Sequence, residues 1–206
     1  MRALALLDAL LVVAYPVAIF YSLAHFSPRA VGLVALAVVI PGVLLRARRA
    51  PREHLVAALR VPLSILTLLL LGAWLDDARF VLALPVLINL ALLAQFAGSL
   101  RGEVSMVERF ARMQKDELSS AESAHCRQTT LAWCALFVLN GGVSLVLALI
   151  GWTRAWAVWT GGVAYALMGV LFAGEYVLRK WRFREYGRGL HDRALAKLWP
   201  PPEGEL

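Results

Sequence analysis

The chain has 206 residues, of which 60% are hydrophobic and only 17% charged, with a formal net charge of +7. A soluble domain of this size carries nearly half apolar residues and about a quarter charged ones, so water is excluded as the main solvent and lipid is expected in its place. The seven Trp and nine Pro suit helices in a bilayer, which tolerate both. The basic balance does not indicate nucleic acid, because the charges map to helix ends on one side, where they set topology and meet anionic headgroups.

A hydrocarbon core needs roughly 20 apolar helical residues at about 1.5 Å each. Six stretches meet or approach that length, at 4–23, 30–45, 59–75, 80–100, 129–150 and 155–178. They predict an all-α integral membrane protein of about six transmembrane helices, arranged as three hairpins in one transmembrane domain, 1–178. The first stretch contains Asp8 and Pro16 and is followed by no small-x-small cleavage site, so it reads as a retained helix and not a signal peptide. The second is the shortest and contains Pro41, and a five-span arrangement in which it re-enters is the competing reading.

Between the fourth and fifth stretches lies the longest polar segment, 101–128. Its Val107, Phe110, Ala111 and Leu118 fall near one helical face, with Glu108, Arg109, Arg112 and Lys115 elsewhere, the pattern of an interfacial amphipathic helix. Such a helix serves either as a docking surface for a cytoplasmic partner or as a linker lying on lipid. The tail, 179–206, interleaves Trp181, Phe183 and Tyr186 with Arg182, Arg184 and Arg188, a composition suited to anionic headgroups. Helical spacing continues through Leu190, Ala194 and Leu198, and the Pro-rich end after Trp199 is expected to be disordered.

Orientation follows from the basic residues. With the N-terminus inside, 18 of the 21 Lys and Arg face the cytoplasm, and only Arg29, Arg79 and Arg154 lie outside, one in each short turn. Trp74, Trp152, Trp156 and Trp159 cluster near that outer face as an aromatic belt. Both termini are therefore expected inside, and nearly all extramembrane mass with them. The second and third hairpins are also faintly alike, with Phe-Ala-Gly recurring at Phe96 and Phe172, as parallel repeats or chance would give.

Strongly polar residues within spans are functional candidates because hydrocarbon penalises them. Asp8 and Glu175 are the ionised ones, and Glu175 stands four residues before Arg179, close enough on a helix to pair with it. Asn89 and Asn140 are amides in apolar surroundings, where interhelical hydrogen bonding is their usual role. Cys126 and Cys134 read as unpaired thiols, and no Cys/His motif of metal-ligand spacing occurs, so no metal or cofactor is expected. His25, His54, His125 and His191 have neither metal spacing nor an evident nucleophile beside them.

The segment "ERFARM" at 108–113, Trp133, Phe137 and Asn140, and "GEYVLRKWRF" at 174–183 together resemble a family of uncharacterised bacterial inner-membrane proteins. Its members are encoded among genes for aryl polyene or xanthomonadin-type pigments. The resemblance covers mainly the second half of the chain, and it implies a bacterial inner-membrane location and a pathway that builds a polyunsaturated acyl chain. It implies no reaction and no catalytic residue.

Three functions follow as expectations. The first is a non-catalytic anchor or assembly factor that gathers soluble acyl-chain enzymes through 101–128 and the tail, with Glu108, Arg109, Phe110, Arg112, Trp181, Arg182 and Phe183 as contacts to partner or lipid. The second is a small lipid or polyene translocator using Asp8, Asn89, Asn140, Glu175 and Arg179. The third is an intramembrane acyl or glycosyl transferase, which would need His54, His125, Glu108 and Glu175 within hydrogen-bond reach of one another.

Overall fold

A computed structural model describes residues 15–49, 55–113, 115, 117–184, 186 and 189–200. Among these, all regular structure is helical. The order is α1 (15–25), α2 (Pro28–Arg49), α3 (Leu55–Leu75), α4 (Ala78–Leu82), α5 (Leu84–Ser99), α6 (Met106–Arg112) and α7 (Ser120–Leu149), then α8 (Thr153–Val158), a π-helical turn (Trp159–Val163), α9 (Ala164–Phe183) and α10 (Leu190–Leu198). Four stretches are long and apolar enough to cross a membrane: Pro28–Leu45, Ala78–Ser99, Ser120–Leu149 and Thr153–Phe183. A shorter apolar run occupies Leu59–Leu75. Asp8 and most of the first expected span lie outside the described residues, as do His54, Arg188 and the end of the tail, 201–206.

Several boundaries differ from the sequence expectation. The second segment, expected to be the doubtful one, is an unbroken helix of 22 residues that runs through Pro41. The fourth starts at Ala78 and is interrupted after Leu82, so 80–100 is two helices and not one. The fifth starts at Ser120 instead of 129, because Ser119 and Glu122 form a reciprocal capping box. The Ser119 amide donates to Glu122 Oε2 at 2.7 Å, and the Glu122 amide donates to Ser119 Oγ at 3.2 Å.

The helices divide into two compact units, Met1–Leu92 with Phe137–Tyr165, and Leu93–Leu136 with Ala166–Leu206. In the first unit, α2 and α3 approach closely at Gly32, where an added Cβ would stand 3.1 Å from Ala73 Cβ and 3.2 Å from the Leu69 carbonyl oxygen. A small residue at that point lets the backbones meet, the usual route to helix packing in lipid. Val31, Leu36, Leu69 and Val81 form the buried cluster beside it. The same hairpin is tied at its turn end by Arg29, whose amide donates to Asp76 Oδ1 at 2.8 Å and whose Nε donates to the Ala73 carbonyl at 3.1 Å.

The interruption between α4 and α5 has a local cause. Pro85 has no amide hydrogen to bond back to the preceding turn, and the chain turns at Ala83. The buried carbonyl of Leu82 is met from elsewhere: the indole N–H of Trp156 donates to it at 2.9 Å. Trp156 is wholly buried, packed with Leu82 and Ala148, and the ring of Tyr15 meets its edge at 6.4 Å between centroids. The π-helical turn begins three residues later. Gly161 within it faces Pro16, whose Cβ would lie 3.4 Å from an added Cβ.

Replacing Trp156 by Phe keeps most of the apolar contact and removes the donor to Leu82. A buried carbonyl left unsatisfied costs about 1–3 kcal/mol, so Trp156→Phe is expected to lower the unfolding temperature in mild detergent by several degrees. Leu82→Ala, which keeps that hydrogen bond, should destabilise through lost packing instead and serves as the comparison.

Candidate functional site

The second unit holds its polar side chains at one end, where α6, the first turns of α7 and the last turns of α9 meet. α6 begins after Ser105 with no side-chain cap of its own. Its Val107 amide donates instead to Thr130 Oγ1 at 3.2 Å, while Thr130 donates to the Cys126 carbonyl at 2.8 Å. Ser99 fixes the preceding turn by donating to the Phe96 carbonyl at 2.7 Å and accepting from the Met106 amide at 2.8 Å.

This anchoring turns Glu108 inward. Glu108 is only 4% exposed, and its Oε1 accepts from Arg112 Nε at 3.1 Å, Arg112 Nη2 at 2.8 Å and Ser123 Oγ at 3.2 Å. Burial alone would raise its pKa, but the hydrogen bonds from Arg112 and Ser123 outweigh burial and hold the carboxyl below its usual range. With Glu108 inside, the neighbouring apolar residues turn out: Phe110 is 54% exposed and Met113 82%.

A second carboxylate lies on α9. Glu175 Oε1 accepts from Arg179 Nε at 2.7 Å and lies 2.6 Å from Arg179 Nη2, the expected i, i+4 pair. His125 Nε2 is 3.5 Å from the same oxygen. His125 is 2% exposed, neither ring nitrogen has a hydrogen-bond partner among the described residues, and the ring of Phe183 closes over it edge-on at 5.7 Å. Beside it, Cys126 is fully buried with its Sγ 3.9 Å from Arg179 Nη2. Both Cys126 and Cys134 are free.

α10 folds back on α9 through a third acid. Asp192 Oδ1 accepts from the Tyr176 hydroxyl at 2.6 Å and from Lys180 Nζ at 3.0 Å. Below this polar end, Trp133 is packed between Phe96 at 6.4 Å and Phe172 at 4.6 Å. The two Phe-Ala-Gly phenylalanines thus meet the same indole.

The other candidates from the sequence lie apart from this cluster. Asn89, in the first unit, donates to its own helix at the Pro85 carbonyl, 2.8 Å, and packs its Cβ against Gly141. Asn140, also in the first unit, is buried, and its Oδ1 has no partner among the described residues. Arg109 is exposed, as are Trp181 and Arg182, and the Arg182 guanidinium lies 5.6 Å from the ring centre of Phe183. Asp8 and His54 fall outside the described residues.

Sequence reasoning passed over Ser123 and Thr130; it named His125 only as a member of a possible transferase cluster, and Cys126 only as an unpaired thiol. A signal for part of this was present: Cys126, Thr130, Trp133, Phe137, Asn140, Ser144 and Ala148 recur every three or four residues and are all buried. Among the described residues, no group of three or more His, Cys, Asp or Glu side chains is placed to hold a metal ion. Comparison with protein-family models, curated proteins and solved structures gives no match.

Because the folded pKa of Glu108 is depressed, its contribution to stability is complete above the unfolded value of about 4.3 and is lost as pH falls through the folded value. Glu108→Gln is therefore expected to lower thermal stability at pH 7, and the gap from wild type should narrow as pH falls below about 4. Tryptophan-fluorescence melting in mild detergent across pH measures it.

Proposed function

We propose that this chain is a six-span inner-membrane protein with both ends on the cytoplasmic side, acting as an anchoring or assembly component for soluble enzymes of an acyl-chain or polyene pathway. The observation that carries this reading is the mixed placement of side chains at α6, where Ala111 stays buried while an acid is turned in and large apolar residues are turned out. It buries a charged residue, Glu108, against α7 and turns Phe110 and Met113 outward. Exposed apolar side chains on a helix held in place by a buried carboxylate are suited to a partner surface, because partner docking then costs little further ordering.

The polar candidates support the same reading. Asn89 is satisfied within its own helix and Glu175 by Arg179, so each answers to a local contact. The basic flanks support both ends inside, with the turns at Arg29, Arg79 and Arg154 outside. A cysteine at Arg154 should react with a membrane-impermeant maleimide on intact cells, and one at Arg101 only after permeabilisation. The opposite labelling would remove this topology.

Affinity purification from mild detergent should recover acyl-chain enzymes with the wild-type chain. Recovery should drop at least fivefold with Phe110→Ser/Met113→Ser, while protein level in the membrane is unchanged; a flat result across the pair would defeat the docking role. A transferase remains the second reading, favoured by one observation, the 3.5 Å approach of His125 to Glu175. His125→Ala separates the two: a transferase loses product while enzyme capture persists, and an anchor keeps both.

A further inference from the structure

The end of α9 carries four cations, and they divide into two kinds. Arg179 is engaged with Glu175, and Lys180 with Asp192. Arg182 and Arg184 have no carboxylate partner among the described residues. Arg182 rests on the Phe183 ring, and Arg184 Nη1 donates to the Pro200 carbonyl at 3.3 Å. Arg184 also sits at φ 53, in the left-handed region, directly after the last residue of α9.

Both arginines line one open cavity of about 690 Å³, whose other walls are Leu178, Trp181 and Phe183. That volume lies in the range of small-molecule sites. Its lining is mixed: two guanidinium groups, and three large apolar side chains continuous with a helix apolar enough to cross a membrane. A free phosphate or a soluble sugar phosphate would use the guanidiniums and leave the apolar wall wet. An amphiphile with an anionic head and an acyl chain uses both.

We infer that the cavity formed by Leu178, Trp181, Arg182, Phe183 and Arg184 is a discrete site for one acidic phospholipid, with its phosphate between Arg182 and Arg184 and its chain along Leu178 and Trp181. This deepens the lipid contact expected of the basic tail and rests on that reading. It adds stoichiometry, a fixed place and headgroup selectivity. Guanidinium groups bind phosphate in two-pronged geometry, which lysines do not reproduce.

The test is native mass spectrometry of the full chain in detergent, titrated with phosphatidylglycerol or with phosphatidylcholine of the same acyl chains. Wild type is expected to retain one phosphatidylglycerol, and Arg182→Gln/Arg184→Gln to bind it roughly thirtyfold more weakly, as two surface arginines would give. Arg60→Gln/Arg101→Gln, with the same change in charge elsewhere, should bind as wild type does. Far-ultraviolet dichroism of lipid-free protein confirms that the variants fold, and Arg182→Lys/Arg184→Lys supplies a second pair if the glutamines do not.

The outcomes separate the site from the general reading. A preference for phosphatidylglycerol that both charge-removing pairs weaken equally leaves surface attraction and overturns the site. Equal retention of both lipids overturns surface attraction as well. Glycerol phosphate competing as strongly as phosphatidylglycerol overturns the lipid assignment in favour of a soluble anion.

Discussion

A hydrocarbon environment supplies no hydrogen bonds, so a helix interrupted within it needs an internal donor for each carbonyl it frees. The break between α4 and α5 falls beside Leu82, whose buried carbonyl accepts from the Trp156 indole. The position of Trp156 then dictates its neighbours. Ala148 and Leu82 pack on the indole, Tyr15 reaches its edge, and the wide turn beginning at Trp159 leaves room for Pro16 at Gly161. The first unit is organised around satisfying one oxygen.

In the second unit the same demand takes an ionic form. Glu108 is matched by Arg112, Glu122 by Lys115, Glu175 by Arg179 and Asp192 by Lys180. Two of these pairs lie four residues apart on one helix, where little chain ordering is required to form them. Matching acids with bases inside the unit leaves the surplus positive charge at its surface, on residues such as Arg109, Arg182 and Arg184. These part-exposed pairs hold short helices in place, and the unmatched cations define what those helices offer to the outside. His125 fits neither group, since it is enclosed, has no hydrogen bond among the described residues and borders a carboxylate already held by arginine.

The helical class and the membrane-length apolar segments were legible because hydrophobic length is a property of the chain itself. Pairing of Glu175 with Arg179 was legible for the same reason, as a spacing of four on a helix. The early start of α7 was written in Ser119 and Glu122, but a capping box is a weak signal beside a long apolar run, and the polar turn 120–128 reads first as loop. The approach of His125 to Glu175 joins residues 50 positions apart and depends on how α7 packs against α9. No local pattern encodes that. The inward turn of Glu108 was hidden for a related reason: its spacing places it off the apolar face of α6, and only its bonds to Arg112 and Ser123 show why a carboxylate is buried there.

The length of α7 has a further consequence. Thirty residues make a helix of about 45 Å, against a hydrocarbon thickness of about 30 Å. About ten residues therefore overshoot, and the polar run at the start of α7 marks which end does so. The surplus turns carry Ser123 and His125, and α6 is tied to them where Ser123 donates to Glu108. Length beyond what a hydrocarbon core requires thus serves α7 as a shelf on which a much shorter helix is held.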